Sequence, residues 1–134
     1  MTSLIKITDV SVVELFTKCH KIKKIILNGC RKLTDVAVSS ITDNDNKIIE
    51  IGLSSLLNIT DVGVIQMVKQ TNGVKSINLS QCRQISGASM MEIVNRWNSW
   101  TLNSMNISQC PLVDKESVEA FQEKFKKVPL KHKC

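Results

Sequence analysis

A nine-residue apolar pattern recurs four times along this chain and constrains the fold more than any single residue does. The copies begin at Ile22, Ile48, Val74 and Leu102, so the steps between them are 26, 26 and 28 residues. The first, fourth and sixth positions are apolar in every copy, and the ninth is cysteine except in the second copy, where it is Leu56. A fixed period of this length is typical of a solenoid, in which each unit buries its apolar edge only against its neighbours. The repeat therefore predicts a fold that offers a binding surface rather than a catalytic cleft.

Each copy carries the signals of a strand and is followed by those of a turn and a helix. Alternation at residues 25–27 and 77–79 predicts short strands. After the turn comes a residue whose side-chain oxygen can accept hydrogen bonds from the first free amides of a helix, and apolar residues then follow at helical spacing. The predicted caps are Thr8, Thr34, Thr60, Ser86 and Asp114. Repetition of this unit predicts an α/β fold with parallel strands on a concave face and helices on the convex face.

The aspartates that follow the first three caps recur at the same spacing. Asp9, Asp35 and Asp61 lie in the first turn of each predicted helix. A negative charge is favoured there by the helix dipole, so we interpret these residues as structural.

The pattern L-x-x-L-x-L-x-x-C followed by I/L-T-D-x-G/A resembles the cysteine-containing leucine-rich repeat, with the best matches at residues 30–35 and 59–63. The resemblance covers about residues 8 to 125 and departs from the pattern at Leu56, at Ser86-Gly87 and at Val113-Asp114. Proteins with this repeat include F-box receptors of ubiquitin ligases and proteins like the antagonist of the mitotic exit network. The resemblance implies a right-handed leucine-rich-repeat solenoid of about four units that recognises a partner or substrate protein.

One domain accounts for residues 1–134. We divide it into a partial N-terminal repeat or cap at 1–21, repeats at 22–47, 48–73, 74–101 and 102–125, and a basic C-terminal tail at 126–134. The 26-residue step places the first unit's strand before Met1, so the strand near Ile25 is expected to have an open edge. Either residues 1–7 fold over that edge, or another protein or a second copy of the chain contacts it. At the other end, Phe121 and Phe125 should close the core.

The variable positions of the predicted strands line the concave face, and they are small and mostly neutral. The candidate contact residues on this face are Lys24, Ile26, Asn28, Glu50, Ser76, Asn78, Ser104 and Asn106. Binding hot spots are usually Trp, Tyr or Arg, and none of these types occupies the strand positions. Two interpretations stay open: a solvated sheet surface, or close docking of a peptide or another subunit's backbone against Ser and Asn.

Two further candidate sites lie where the chain departs from the repeat. The 28-residue step predicts a bulged loop beside Trp97 and Trp100, and a tryptophan exposed there is a candidate contact residue. Lys126 and Lys127 belong to a basic C-terminal cluster in a chain of net charge +6. Such a cluster favours acidic partners or anionic surfaces, and a solvated basic face is the alternative. No aromatic residue interleaves the lysines, which argues against nucleic acid as the partner.

Cysteine placement and hydropathy indicate the compartment. Cys30, Cys82 and Cys110 occupy equivalent slots, so we expect buried, reduced thiols. Reduced cysteines indicate an intracellular compartment, the cytoplasm or nucleus, with the mitochondrial matrix as the alternative. No apolar run approaches the roughly 18 residues that a transmembrane helix needs.

The sequence contains no pattern that predicts catalysis, a cofactor or a metal site. His20 and His132 lack the paired spacing of a structural zinc site, and neither a phosphate loop nor a nucleophile elbow is present. We therefore expect a non-enzymatic protein–protein interaction module for partner or substrate recognition of the F-box/leucine-rich-repeat type. The alternative is an accessory structural subunit of a large assembly, similar to the leucine-rich-repeat coupling factor B associated with mitochondrial ATP synthase.

Overall fold

Five short strands and five helices alternate along the chain in the computed structural model, which describes residues 7–43 and 47–132. The helices are Asp9–Lys18 (α1), Asp35–Ser39 (α2), Asp61–Gln70 (α3), Gly87–Arg96 (α4) and Lys115–Lys124 (α5). The strands are Lys24–Ile26 (β1), Glu50–Gly52 (β2), Ser76–Asn78 (β3), Ser104–Asn106 (β4) and Leu130–Lys131 (β5). Apart from residue 7, the predicted N-terminal cap at 1–7 lies outside the described residues.

The strands form one parallel sheet in the order β1-β2-β3-β4-β5. Lys24, Glu50, Ser76 and Ser104, which occupy the same position in successive copies of the pattern, are paired across the first four strands. The 28-residue step between the last two copies therefore leaves the register of the sheet unchanged. The predicted α/β class and the predicted parallel sheet are confirmed.

The fifth strand lies within residues 126–134, which are predicted to form a basic tail, and the sequence did not predict it. Leu130 pairs with Met105 and Lys131 with Asn106. The N–H of Ile107 donates to the carbonyl oxygen of Lys131 at 2.7 Å. β5 thus covers the edge of β4, which would otherwise present unpaired backbone groups. The sequence held no signal for it, because two residues are too few to show an alternating pattern. Residues 133 and 134 lie outside the described part of the chain.

The core lies between the sheet and the helices and is almost wholly aliphatic. The fourth, sixth and ninth positions of every pattern copy are buried in it, together with apolar residues of the helices. Each helix packs against the next one along the chain. At the C-terminal end, Phe121 and Phe125 are buried with ring centroids 4.5 Å apart, which confirms that they close the core.

The cysteines of the repeated slot are buried, as predicted. The thiol of Cys82 donates to the carbonyl oxygen of Leu53 at 3.0 Å, and that of Cys110 donates to the carbonyl oxygen of Leu79 at 3.0 Å. Each of these thiols therefore joins its unit to the preceding one. Burial raises the pKa of Cys82 to about 12 and also raises the pKa of Cys110, which keeps both donors protonated.

Four of the five predicted cap residues accept a side-chain hydrogen bond from the first turn of a helix. The hydroxyl groups of Thr34, Thr60 and Ser86 each accept a hydrogen bond from the N–H two residues later. The carboxylate of Asp114 accepts one from the N–H of Ser117 at 2.9 Å. Thr8 occupies the predicted N-cap position of α1, but its side chain makes no cap hydrogen bond. Each of the four side chains satisfies an amide that the helix itself leaves without an acceptor.

The first-turn aspartates join each unit to the next. Each carboxylate accepts one hydrogen bond from the backbone N–H and one from the hydroxyl group of the following unit's cap, at 2.5–2.9 Å. The pairs are Asp9 with Thr34, Asp35 with Thr60, and Asp61 with Ser86. The helix dipole therefore accounts for only part of the role of these residues. We refer to these three pairs as the aspartate–cap ladder.

The ladder ends where the sequence departs from the Thr-Asp pattern. Gly87 stands in the aspartate position, and a Cβ there would lie 2.2 Å from Oγ of Ser117 and 2.8 Å from Oδ1 of Asp114. The next cap, Asp114, is a carboxylate whose pKa is lowered by the side-chain and backbone hydrogen bonds of Ser117. An aspartate at position 87 would meet both a steric clash and a like charge. The two departures from the repeat pattern, at residues 86–87 and 113–114, are therefore linked: the glycine at 87 leaves room for the carboxylate at 114.

Replacing Asp35 with alanine should lower the free energy of unfolding by about 2 kcal/mol, because two hydrogen bonds from Thr60 to a charged acceptor are lost. The matched control is Glu116→Ala, which removes an exposed first-turn acid from α5 and only its helix-dipole contribution of about 0.3–1 kcal/mol. Urea unfolding followed by circular dichroism measures both values. Equal losses would contradict the ladder and leave the helix dipole as the explanation.

Gly63→Ala should break the contact between α2 and α3. A Cβ on Gly63 would lie 2.5 Å from Oδ1 of Asp35 and 3.0 Å from its Cα. Overpacking costs about 1–3 kcal/mol, which exceeds the gain of about 1 kcal/mol in helix propensity. Gly73→Ala is the control, since the nearest atom to its Cβ would be 4.0 Å away, and its stability should stay within about 0.5 kcal/mol. A Gly63→Ala chain as stable as the control in urea unfolding would refute the close approach.

Candidate functional site

The predicted contact residues of the strands lie together on the face of the sheet opposite the helices. Two paired rows cross this face, which we call the outer sheet face. One row is Lys24, Glu50, Ser76 and Ser104, and the other is Ile26, Gly52, Asn78 and Asn106. Asn28 lies two residues after the end of β1. The structure therefore brings all eight predicted residues of this group together.

Many polar groups of the outer sheet face already have partners within the chain. The side-chain oxygens of Asn28, Asn78 and Asn106 accept hydrogen bonds from backbone N–H groups of the turns after the strands, at 2.8–2.9 Å. Lys24 lies 3.6 Å from Glu50 in an exposed ion pair. The asparagine oxygens thus shape the turns, and the outward residues are only partly available to a ligand.

The two tryptophans have opposite environments, and this corrects the inclusion of Trp97 among the contact residues. Trp97 is 2% exposed, and its Nε1–H donates to the carbonyl oxygen of Thr71 at 2.9 Å. Trp100 is 81% exposed in the turn between α4 and β4. The extra residues of the 28-residue step therefore place one ring in the core and leave the other on the surface. Sequence could not separate them because both lie outside the repeated positions.

The lysines of the predicted basic cluster lie around the end of α5. Lys126 and Lys127 are exposed in the segment between α5 and β5. Nearby, Lys124 donates to the carbonyl oxygen of Val94 and lies 5.4 Å from the ring centroid of Phe125. The role of Lys126 and Lys127 in binding stays a prediction.

A groove that the sequence did not predict lies beside the turns that follow the strands. It has a volume of about 560 Å³ and is lined by Arg31, Ser55, Leu57, Gln81, Arg83 and Gln109. Arg31 and Arg83 occupy the same slot, directly after the ninth position of the first and third copies. This shared slot is visible in the sequence, but it lies one position beyond the nine-residue pattern from which the contact residues are predicted. We call this site the arginine groove.

The opposite boundary of the sheet is β1, which has β2 as its sole strand partner among residues 7–43 and 47–132. His20, Lys21, Lys23 and Lys47 surround a shallow depression of about 210 Å³ beside it. Contact of another chain with the edge near Ile25 stays a prediction. A contact there would meet a basic surface.

Comparison with known proteins supports the fold and leaves the family open. The sequence matches no protein-family model, and no curated protein matches it. A chain in the crystal structure of the Rad7 and Elc1 complex in yeast is similar in structure, with a TM-score of 0.65 and 13% sequence identity. The match covers 95% of this chain and 40% of that one, so the chain spans about two fifths of the length of its structural neighbour. At this identity the likeness is one of fold.

The described residues contain neither a cluster of metal-ligating side chains nor a helix that could span a membrane. Within residues 7–43 and 47–132, no group of three or more His, Cys, Asp or Glu side chains could hold a metal ion. Over the same ranges, no helix is long and apolar enough to cross a membrane.

Trp97→Phe should lower the free energy of unfolding by about 1–3 kcal/mol, because the buried carbonyl group of Thr71 loses its donor. Trp100→Phe should change it by less than about 0.5 kcal/mol. Each variant keeps one tryptophan, so acrylamide quenching reports the remaining ring. Strong quenching of Trp100 and weak quenching of Trp97 are expected, and equal quenching of the two would contradict their placement.

Proposed function

We propose that this chain is a non-enzymatic protein–protein interaction module built as a right-handed leucine-rich-repeat solenoid of the cysteine-containing type. Two features support this family. The fourth, sixth and ninth positions of the nine-residue pattern are buried in every copy, and the aspartates after the first three caps bridge neighbouring units. We further propose that it recognises a partner or substrate protein in the manner of the F-box/leucine-rich-repeat proteins.

The observation that carries the proposal is a polar, solvent-facing sheet held in fixed register. Ser76 pairs with Ser104 and Asn78 with Asn106, so equivalent polar groups stand side by side across neighbouring strands. Hydrogen bonds between these two units, such as that from the N–H of Gln81 to the carbonyl oxygen of Ser108 at 2.8 Å, accompany this register. A surface that is already ordered loses little conformational entropy when a partner binds. The structural neighbour comes from a complex of two proteins, which also favours a binding role.

A second candidate is an accessory structural subunit of a large assembly. It is favoured by the edge of β1, which faces no other strand among the described residues, because an unpaired edge can accept a strand from another chain. The reducing compartment that we propose, cytoplasm or nucleus with the mitochondrial matrix as alternative, is supported by the burial of the cysteines in the repeated slot, of which Cys82 and Cys110 are free thiols.

The proposal is tested by purifying the tagged chain at native abundance and sizing its complexes. A partner protein that co-elutes in fixed stoichiometry is expected. Ser76→Tyr, which projects a bulky ring from the outer sheet face, should reduce the co-eluting partner by roughly tenfold, a change of about 1.4 kcal/mol in binding. Asn95→Tyr is the matched control, because Asn95 is exposed on α4 away from the sheet, and it should have no effect.

Three outcomes distinguish the possibilities. A chain that elutes alone from native extract would overturn the interaction module. A partner retained equally by both variants would reject the outer sheet face as the binding surface. A partner lost only when β1 is altered, for instance by Ile26→Pro, would favour the structural subunit, provided that circular dichroism shows the variant folded.

A further inference from the structure

The arginine groove concentrates a residue type that is otherwise rare in this chain. Of its 18 basic residues only Arg31, Arg83 and Arg96 are arginine, and two of these three line the groove. No carboxylate is among its lining residues. Within the described part of the chain, neither lining guanidinium has a salt-bridge partner, whereas Arg96 pairs with Glu92. Among the described residues, the groove therefore carries two positive charges without a carboxylate partner.

The backbone that carries these arginines is held rigidly. Ser55, Gln81 and Gln109 adopt φ angles of 61° to 62°, a left-handed conformation that is unfavourable for residues with a side chain. Hydrogen bonds between units stabilise it, for example from the N–H of Ser55 to the carbonyl oxygen of Ser80 at 2.9 Å. The side chain of Asn58 also donates to the carbonyl oxygen of Arg31 at 3.2 Å. A site whose backbone is already ordered binds at a low entropic cost.

The spacing of the two arginines selects the shape of a ligand. They lie two units apart, and neighbouring strands are about 4.8 Å apart, so their backbones are separated by roughly 10 Å. A segment in the polyproline II conformation advances about 3.1 Å per residue and repeats its side-chain direction every three residues. Acidic residues at positions i and i+3 of such a segment would project from one side, about 9 Å apart. Leu57 also lines the groove with its exposed side, where it could contact the two ligand residues between the acidic ones.

The chemistry of the groove favours carboxylates over nucleic acid. A guanidinium group matches a carboxylate in a bidentate geometry. Surfaces that bind single-stranded nucleic acid stack bases on aromatic rings, and no aromatic residue lines this groove. Nucleic-acid binding usually relies on about 6–10 contacts between basic side chains and phosphates. Two arginines supply too few of these contacts.

We propose that the arginine groove binds an acidic, extended segment of a partner protein, with carboxylates at positions i and i+3 engaging Arg31 and Arg83. This inference rests on the proposed function as an interaction module and specifies the chemistry of the partner. The groove is distinct from the outer sheet face, so each surface can be tested by itself.

The test is fluorescence anisotropy with a labelled peptide that contains Glu-Pro-Pro-Glu between neutral flanks. Arg31→Gln and Arg83→Gln should each weaken binding by about tenfold or more, as expected for the loss of a charge-assisted hydrogen bond. Arg31→Lys keeps the charge but loses the bidentate geometry and should give an intermediate loss. Lys69→Gln removes the same charge from the exposed side of α3 and should leave affinity unchanged within about twofold.

Peptide controls define the outcomes that would overturn the proposal. Gln-Pro-Pro-Gln should not bind, and a peptide with adjacent glutamates should bind more weakly than the i, i+3 peptide. A Lys69→Gln effect equal to that of Arg83→Gln would show attraction to net charge alone and reject the groove. Tighter binding of a single-stranded oligonucleotide that depends on both arginines would reject an acidic protein segment as the occupant. If the unaltered chain does not bind the Glu-Pro-Pro-Glu peptide although a native partner co-elutes with it, this inference is rejected and the proposed function stands.

Discussion

The carboxylate of a first-turn aspartate accepts two hydrogen bonds from the helix cap of the next unit, and this contact recurs at each of the three steps from α1 to α4. Between the units joined by Asp35 and Thr60, α3 packs against α2, and Ile25 pairs with Ile51 in the buried row of the sheet. Because an isolated unit cannot bury its apolar face, each unit needs its neighbours to be stable. The two extra residues of the third step are absorbed between α4 and β4, where they leave the pairing of Ser76 with Ser104 intact.

The last unit is stabilised differently from the earlier ones. Gly87 removes the carboxylate that would face Asp114, so α4 and α5 approach closely without the ladder. The stacked rings of Phe121 and Phe125 supply buried area there that aliphatic residues supply elsewhere. β5 then covers the edge of β4. Covering a sheet edge and closing the core are the usual requirements for ending a stack of this kind.

The two candidate binding surfaces differ in how many of their polar groups are free. On the outer sheet face the asparagine oxygens hold the turns, and Lys24 is paired with Glu50. The arginine groove instead has two guanidinium groups on a backbone ordered by bonds between units. The sheet face therefore suits a broad contact made by small polar groups, whereas the groove suits a short segment of defined charge.

The sequence by itself determined the repeating unit, because residues such as Ile51 and Ile77 recur in slots that must point the same way. Period, caps, buried thiols and parallel pairing all follow from that equivalence, and so does the row of outward Ser and Asn residues. The tertiary structure alone decided what depends on contacts between units: the bridge from Asp35 to Thr60, the burial of Trp97 against Thr71, the strand Leu130–Lys131, and the shared groove of Arg31 and Arg83. Their partners lie about 25 or more residues away. No local pattern encodes that proximity, since it arises only when the units are stacked.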